Sequence, residues 1–365
     1  MKAFMVEKYG DQAGMRAAEI PAPQVGADDV LVKIHAAGVN PLDLRILNGD
    51  FKAFMPYRLP LILGNDLAGT VVRVGPSVTR FSVGDDVYAR PDKDRIGTFA
   101  ELIAVPQDDL APKPATLTMT EAASLPLVAL TAWQALVERA RAQPGQKVLI
   151  HGGAGGLGSI AVQLAKALGA HVASTVSTTK VDLARDLGAD VVVDYRTQDF
   201  EEVLDGYDVV LDSLGGETLA KSLRVLKPGG TAISVAGPPD PAFARELGAN
   251  PLLRLAMTAL SLICTSWLSS GSREGRTGVP GTPGRVIIGS ARSKPNVREV
   301  CCRRQDRGAH GSSCAVGSDC SGWSIPRTQR RSPVSFDPPA AAIQGRSSMA
   351  WARSSVERLS TTARR

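Results

Sequence analysis

No cysteine occurs before position 264 in this 365-residue chain. Cys264, Cys301, Cys302, Cys314 and Cys320 all fall in the last 105 residues. A long apolar run is also lacking. The nearest to one is LAMTALSLICTSWLSSGS at 255–272, uncharged but with seven Ser or Thr. The N-terminal MKAFMVEKYGDQAG carries acids early and has no apolar leader stretch. These absences argue against a membrane span and a secretory signal, so the expectation is a cytoplasmic protein with no membrane partner. At 44% hydrophobic and 21% charged, the chain is not wholly disordered, collagenous or coiled-coil.

The net charge of +6 divides unevenly. Residues 1–260 hold 25 Lys+Arg against 30 Asp+Glu, whereas residues 261–365 hold 17 against 6. The basic character therefore belongs to the last segment, which has 16 arginines and a single lysine. Three of the four tryptophans lie there as well. The two parts call for separate readings.

Residues 1–120 read as short strands: KAFMVE, VLVKIHAAGV, GTVVRVG, DVYAR and FAELIAV. Gly, Pro and Asp separate these β-branched and aromatic runs, as in antiparallel sheet or a small barrel. Gly75, Pro76, Gly84 and Gly97 fit turns, and Asp85 and Asp86 fit a hairpin. TMTEAASLPLVALTAWQALVERA then predicts buried helix, capped by Thr118 or Thr120 with Glu121 and divided around Pro126. Trp133, Leu136 and Val137 fall at helical spacing and point to packing.

From Lys147 the pattern becomes strand then helix. KVLIHGG, HVAST, VVVDY, DVVLD and TAISVAG are apolar strands separated by amphipathic helices. That alternation predicts a parallel sheet covered on both faces, with right-handed crossovers. In the helix SIAVQLAKALG, residues Ile160, Ala161, Leu164, Ala165 and Leu168 share the inner face.

The sharpest motif is GGAGGLG at 152–158, in which Gly153, Gly155 and Gly158 satisfy G-x-G-x-x-G and Ala154, Gly156 and Leu157 fill the spacing. It follows a strand and opens a helix, the context a dinucleotide site requires. The glycines allow a tight turn, close approach of pyrophosphate and close helix packing, while the helix N-terminus faces the phosphates. An NAD site usually places an acid about 20 residues further on. No acid stands between Lys166 and Asp182. Ser174, Ser177 and Thr178 offer hydroxyls and Lys180 a positive charge, so the stretch favours the 2′-phosphate of NADP.

These motifs carry a resemblance. AAGVNPLD at 36–43, GNDLAGTVVRVG at 64–75, LTAWQALVERA at 130–140, GGAGGLG and LKPGG at 226–230 occur in one order. Over residues 1–260 the chain resembles the zinc-independent quinone oxidoreductase branch of the medium-chain dehydrogenase/reductase superfamily. The resemblance implies an α/β fold: a GroES-like β-rich catalytic domain over 1–125 and a Rossmann doubly wound parallel sheet over 126–260. Substrate would lie in the cleft between them. It further implies NADPH-dependent reduction of a small-molecule quinone or α,β-unsaturated carbonyl, and a homodimer.

Zinc-dependent relatives carry Cys where Asn40 stands and His where Asn65 stands; amides are poor zinc ligands, and Asp66 alone cannot hold the ion. With no early cysteine, the structural zinc lobe is missing too. His35, His151 and His171 read as core or local hydrogen-bonding groups. Without a Lewis acid, the reaction must rest on hydride transfer, hydrogen bonds and positioning. The matched positions assign the substrate carbonyl to the Asn40 amide or the Thr131 hydroxyl. Asp43 has two readings, orienting that loop or assisting proton delivery on the one hand, and capping a helix on the other. Tyr57 is either a substrate wall or a packing residue. Tyr195, Asp212, Ser213, Gly215, Ala236 and Gly237 follow sheet strands and are assigned to the cofactor.

The resemblance ends near residues 259–261. Residues 261–365 are rich in Ser, Gly and Arg and hold one short strand-like patch, RVIIG, too short to stand for a sixth sheet strand. The expectation is a sheet truncated at its C-terminal strands, followed by a largely disordered tail. The abrupt change in composition matches a shifted reading of a GC-rich gene, with a genuine appended tail as the competing account, and loss of the dimerising edge strand puts the homodimer in doubt. The tail lacks aromatic interleaving or a recognition helix, so no specific nucleic-acid partner is expected. Its cysteines do not form a C-x-x-C zinc pattern.

Overall fold

The computed structural model describes residues 1–10, 15–52, 56–236, 255 and 285–288. The expected disorder of the tail, its five cysteines and Gly237 fall outside the described residues. The chain divides into two units that meet in sequence at Pro126–Leu127.

The first unit contains β1 (Lys2–Val6), β2 (Met15–Glu19), β3 (Asp29–Gly38), α1 (Pro41–Asn48), β4 (Leu61–Ile62), β5 (Asp66–Val74), β6 (Asp86–Ala89), β7 (Leu102–Pro106), β8 (Leu110–Pro112) and α2 (Met119–Ala123). Its larger sheet is antiparallel, in the order β7-β3-β5-β6-β8, and a smaller one runs β2-β1-β4. In β3, Val30, Val32 and Ile34 turn inward onto Leu67, Val71, Phe81, Val87, Ile103 and Leu110, while Lys33 and His35 stay outside. This two-residue period makes the strand legible. The pairing of β3 with β5 shifts register between Leu31 and Val32 and again between Ile34 and Ala36. Those irregularities bend the strand just before its end delivers Asn40. Strand β2 (MRAAE) has no alternation of buried positions, so sequence pattern did not reveal it.

Helix α1 starts with Asn40 at the N-cap, Pro41 in its first turn and Asp43 at the third position. Gly49 ends it in the left-handed region at φ +85°. Ile46 and Leu47 bury against Phe4, Val6, Leu63 and Phe99. Helix α2 has the expected Thr118 cap: the Glu121 N–H donates to Thr118 Oγ1, and the Thr118 N–H donates back to the Glu121 carboxylate.

The second unit contains α3 (Pro126–Trp133), β9 (Lys147–His151), α4 (Gly156–Ala167), β10 (His171–Val176), α5 (Val181–Asp186), β11 (Val191–Asp194), α6 (Phe200–Val203), β12 (Tyr207–Asp212), α7 (Gly216–Val225), β13 (Leu226–Ser234) and β14 (Arg285–Ile288). A π-helical turn, Gln134–Arg139, continues α3. All six strands are parallel, in the order β11-β10-β9-β12-β13-β14. Val148, Ile150, Val172 and Leu211 face one helical layer with Ala161, Val162 and Ala165. Leu149, Ala173 and Val210 face the other, with Phe200, Leu219 and Val225. Apolar residues at consecutive positions, as in Val148–Ile150 and Val209–Leu211, follow from burial on both faces. Ile160 and Leu168, assigned to the inner face of α4, are partly buried against the first layer.

One expectation is corrected here. RVII does serve as a sixth strand: Arg285–Ile288 pairs in parallel with Thr231–Ser234 at the sheet edge. Four β-branched or extended-tolerant positions suffice, because an edge strand needs only one ladder of main-chain bonds.

Candidate active site

Strand order reverses between β9 and β12, where the first and fourth strands of the second unit lie side by side. The loops leaving their C-terminal ends therefore diverge, which opens the crevice used by dinucleotides in such sheets. GGAGGLG leaves β9 at this point.

The N–H groups of Gly152 and Gly153 both donate to the Thr175 carbonyl, at 3.0 and 3.2 Å, and the Gly155 N–H donates to the Gly152 carbonyl at 2.8 Å. A Cβ at Gly153 would stand 2.0 Å from Ser174 Oγ, and one at Gly158 only 2.1 Å from the Gly152 carbonyl oxygen. These two glycines thus serve close packing of strand, turn and helix. Gly155 and Gly156 are exposed, and Gly155 caps α4 without any side-chain bond. Ala154 and Leu157 pack against the core below. Among the described residues no side chain caps the first turn of this twelve-residue helix, and its N-terminus, with Gly156 exposed, fits a pyrophosphate.

The neighbouring loop after β12 is organised by Asp212, which is fully buried. Its carboxylate accepts from the Leu214 N–H at 3.0 Å, the Gly215 N–H at 3.1 Å and Ser234 Oγ at 2.7 Å. Asp212 is thus the residue that ties the β12 and β13 loops together. Ser213 Oγ reaches the His151 carbonyl at 3.4 Å. Gly215 adopts φ +73°, with Ala236 beside it. The Ala236 N–H donates to Ser234 Oγ at 3.3 Å.

His151 itself is buried beneath the turn. Its Nδ1 pairs with Thr175 Oγ1 at 3.0 Å and its Nε2 with Ser222 Oγ at 2.8 Å, and the ring meets Phe200 edge-on. Burial pushes its pKa down to about 4, opposed by the nearby Asp212. A neutral core histidine is the outcome.

Beyond β10 and β11, Ser177 is half-buried and Lys180 exposed. Tyr195 is 57% exposed, and its N–H donates to the Val176 carbonyl at 3.1 Å. Ser174 requires correction. It is completely buried and its hydroxyl donates to the Ile150 carbonyl at 2.7 Å, so it packs on Gly153 and presents nothing to a cofactor. Thr131 also departs from expectation. Its hydroxyl donates to the Leu127 carbonyl one helical turn back, at 2.7 Å, which spends the proton assigned to a substrate carbonyl.

In the first unit, four buried residues form an amide–carboxylate cluster. Asn40 Nδ2 donates to Asp66 Oδ2 at 2.8 Å, and Asn65 Nδ2 donates to Asp43 Oδ1 at 2.7 Å. Asp43 Oδ2 accepts from the Asn40 N–H at 2.7 Å. Of the two readings of Asp43, the cap is thereby realised, and the bond to Asn65 extends it. Burial pushes Asp43 up to about 6, although the Asn40, Asn65 and Gly64 N–H bonds act the other way. The Arg90 guanidinium is buried nearby and interacts with Asp66, with burial drawing its pKa down. Tyr57 is half-buried, its N–H accepted by the Tyr9 hydroxyl at 3.0 Å, and burial pushes its phenol up. Asn65, Asp66 and Arg90 were not singled out as organisers of the site. The GNDLAG segment offered the signal, two polar residues inside an otherwise apolar strand start.

The second unit has the order and glycine turn of a dinucleotide-binding oxidoreductase, and the first has the sheet that accompanies it in that class. Family models agree. Residues 26–115 match the alcohol dehydrogenase GroES-like domain and residues 156–275 match the zinc-binding dehydrogenase domain. The chain is 40% identical over 251 residues to a 2-methylene-furan-3-one reductase of Solanum lycopersicum, covering 66% of this chain and 63% of that protein. It is 38% identical over 250 residues to a chloroplastic NADPH-dependent alkenal/one oxidoreductase of Arabidopsis thaliana, covering 66% and 64%. The structure of the quinone oxidoreductase from Coxiella burnetii superimposes with a TM-score of 0.65 at 28% identity, over 82% of this chain and 85% of that one. The chain belongs to the medium-chain dehydrogenase/reductase superfamily, in its quinone oxidoreductase branch. It spans less than two thirds of the length of the two reductases just described.

Zinc, named in one family description, does not fit the residues present. The Asn40 and Asn65 amides donate their N–H groups to the carboxylates, so they offer no ligand lone pair on nitrogen. Among the described residues, no group of three or more His, Cys, Asp or Glu could hold a metal ion. Among the same residues, no helix is long and apolar enough to cross a membrane.

Proposed function

We propose that this chain transfers hydride from NADPH to a quinone or an α,β-unsaturated carbonyl without a metal. The observation that carries the reading is the uncapped N-terminus of α4 at the strand-order reversal, flanked by the Asp212 loop. The N–H groups of Gly156 and Leu157 would hold the pyrophosphate, with Ser213, Gly215 and Ala236 beside the dinucleotide. Ser177, Lys180 and Tyr195 would take the 2′-phosphate, and the lack of an acid between Lys166 and Asp182 favours NADPH over NADH. When bound, NADPH supplies the hydride.

The chain's own contribution is polarisation and order. Asp66 takes one N–H of the Asn40 amide and fixes its plane, leaving the other N–H as donor to the substrate oxygen. Asp43 holds the same loop through its bonds to Asn40 and Asn65. A conjugated acceptor suits this weak electrophilic assistance, because charge arriving on its oxygen is already delocalised.

The test is titration of the full chain with NADPH and NADH, followed by loss of reduced-nicotinamide absorbance with a panel of quinones and alkenals, with and without chelator. Saturable NADPH binding and chelator-insensitive turnover are expected. Asn40→Ala should lower kcat about 10²-fold, the size seen on removing one oxyanion donor, with NADPH affinity unchanged. Absence of saturable binding by the folded chain would end the proposal, and binding without turnover on any acceptor would leave a dinucleotide-binding protein.

A further inference from the structure

His151 closes β9 and leads into the glycine turn. The N–H of the next residue, Gly152, is shared between the Thr175 carbonyl at 3.0 Å and the Thr175 hydroxyl at 3.3 Å. That hydroxyl also meets His151 Nδ1 at 3.0 Å, while Nε2 meets the Ser222 hydroxyl at 2.8 Å. Ser222 lies on α7, where its hydroxyl donates to the Thr218 carbonyl one turn back, at 2.7 Å. His151, Thr175 and Ser222 are all buried.

The hydroxyl protons fix the tautomer of the ring. Ser222 has one such proton, and the Thr218 carbonyl takes it. Ser222 Oγ therefore accepts from His151, which puts the ring proton on Nε2. Nδ1 is then an acceptor, and the Thr175 hydroxyl donates to it while accepting from the Gly152 N–H. Each donor points from the turn toward α7. With the proton on Nδ1 instead, Thr175 would lose this acceptor, and Nε2 would face a hydroxyl whose proton is already given. Inside a protein such losses are costly. Burial also keeps the ring neutral.

Gly152 is a sensitive point at which to anchor the turn. Its carbonyl accepts from the Gly155 N–H at 2.8 Å and lies against Gly158, so a shift there is passed to the start of α4.

We propose that His151 is a positioning residue for the dinucleotide: its neutral Nε2–H form completes a one-way hydrogen-bond chain from the Gly152 N–H to the Thr218 carbonyl, anchoring the glycine turn to β10 and α7. The inference rests on the reading of that turn as the pyrophosphate site. It adds the side chains of His151, Thr175 and Ser222, which act through the turn from beneath it.

The test makes two measurements on the full chain. The first is nitrogen NMR of its four histidine rings, in which the His151 signal is the one lost in His151→Gln. The proton is expected on Nε2, and Ser222→Ala, which removes its acceptor, should shift it toward Nδ1. The second is Kd for NADPH and for NADH. Thr175→Val keeps the side-chain shape without the hydroxyl. It should weaken both nucleotides alike, about 10-fold, because the pyrophosphate is common to them. Thr175→Ser should bring both back to within about 3-fold of the unsubstituted chain. A proton on Nδ1 in the unsubstituted chain, or one that Ser222→Ala does not move, would overturn the inference. Unchanged affinities in Thr175→Val, or no recovery in Thr175→Ser, would overturn it as well, and all of these results leave the cofactor reading standing. Absence of saturable binding by the unsubstituted chain would instead remove the cofactor reading, and this inference with it.

Discussion

The two units bury polar groups by opposite means. The antiparallel unit places Asp43 and Asp66 inside and surrounds them with the amides of Asn40 and Asn65 and the Arg90 guanidinium. The parallel unit buries His151 and Asp212 and satisfies them with the hydroxyls of Thr175, Ser222 and Ser234 and with loop N–H groups. In the first, charge is retained at a desolvation penalty, and Asp43 rises to about 6. In the second, the titratable ring is kept neutral, and His151 falls to about 4. A buried polar group can therefore serve chemistry in one region and only alignment in the other. What surrounds the group decides, more than its type.

The largest expected effect would break the alignment side of this contrast. Gly158→Ala places a Cβ against the Gly152 carbonyl, main chain that cannot move aside. NADPH affinity should fall at least about 10²-fold, equivalent to several kcal/mol of strain. Gly153→Ala instead meets the Ser174 side chain, so Gly153→Ala combined with Ser174→Gly should recover most of the binding by titration. If the pair is no better than the single change, Ser174 is not what confines Gly153.

A pH series sharpens the contrast. The folded-state value of Asp43 lies above its unfolded 3.8, so its contribution to stability is full below that value and is lost as pH rises through about 6. The folded-state value of His151 lies below its unfolded 6.5, so its contribution is full above that value and is lost as pH falls through about 4. Acidification across this window should thus tighten the first unit and loosen the second, each by up to about 3 kcal/mol. Amide hydrogen exchange resolved by unit measures this directly. Asp43→Asn should flatten the first trend and His151→Gln the second; parallel trends in both units would refute the opposition.

The smallest effect is local to α2. Thr118→Ala removes the two bonds made by Thr118 Oγ1, keeps the main-chain half of the cap, and should cost about 1 kcal/mol in chemical denaturation, with no change in NADPH binding.

The parallel sheet is legible because its strands hold consecutive apolar residues and its helices carry a clear inner face, as Val148–Ile150 and Ala161–Ala165 illustrate. The glycine turn was legible because spacing and context coincide in seven residues. The direction of individual hydroxyls was not. Ser174 and Thr131 have residue types suited to ligand contact, yet each bonds a carbonyl of its own unit, a choice set by burial and by the preceding helical turn. The amide–carboxylate cluster joins residues about 25 positions apart, Asn40 with Asp66 and Asn65 with Asp43, and only tertiary pairing of β3 with β5 brings them together. Strand β14 is not legible because four residues between glycines carry too little pattern to mark a strand, and it forms by pairing with an edge already in place.

That last strand has a wider consequence. A growing parallel sheet behaves as a template that recruits extended chain through amides and carbonyls, which every residue except proline supplies in full. The identity of the recruit matters less than its ability to lie straight. Another β-branched tetrapeptide installed at 285–288 should leave the six-strand order in place, which makes the outer edge of this sheet the part of its architecture most open to replacement.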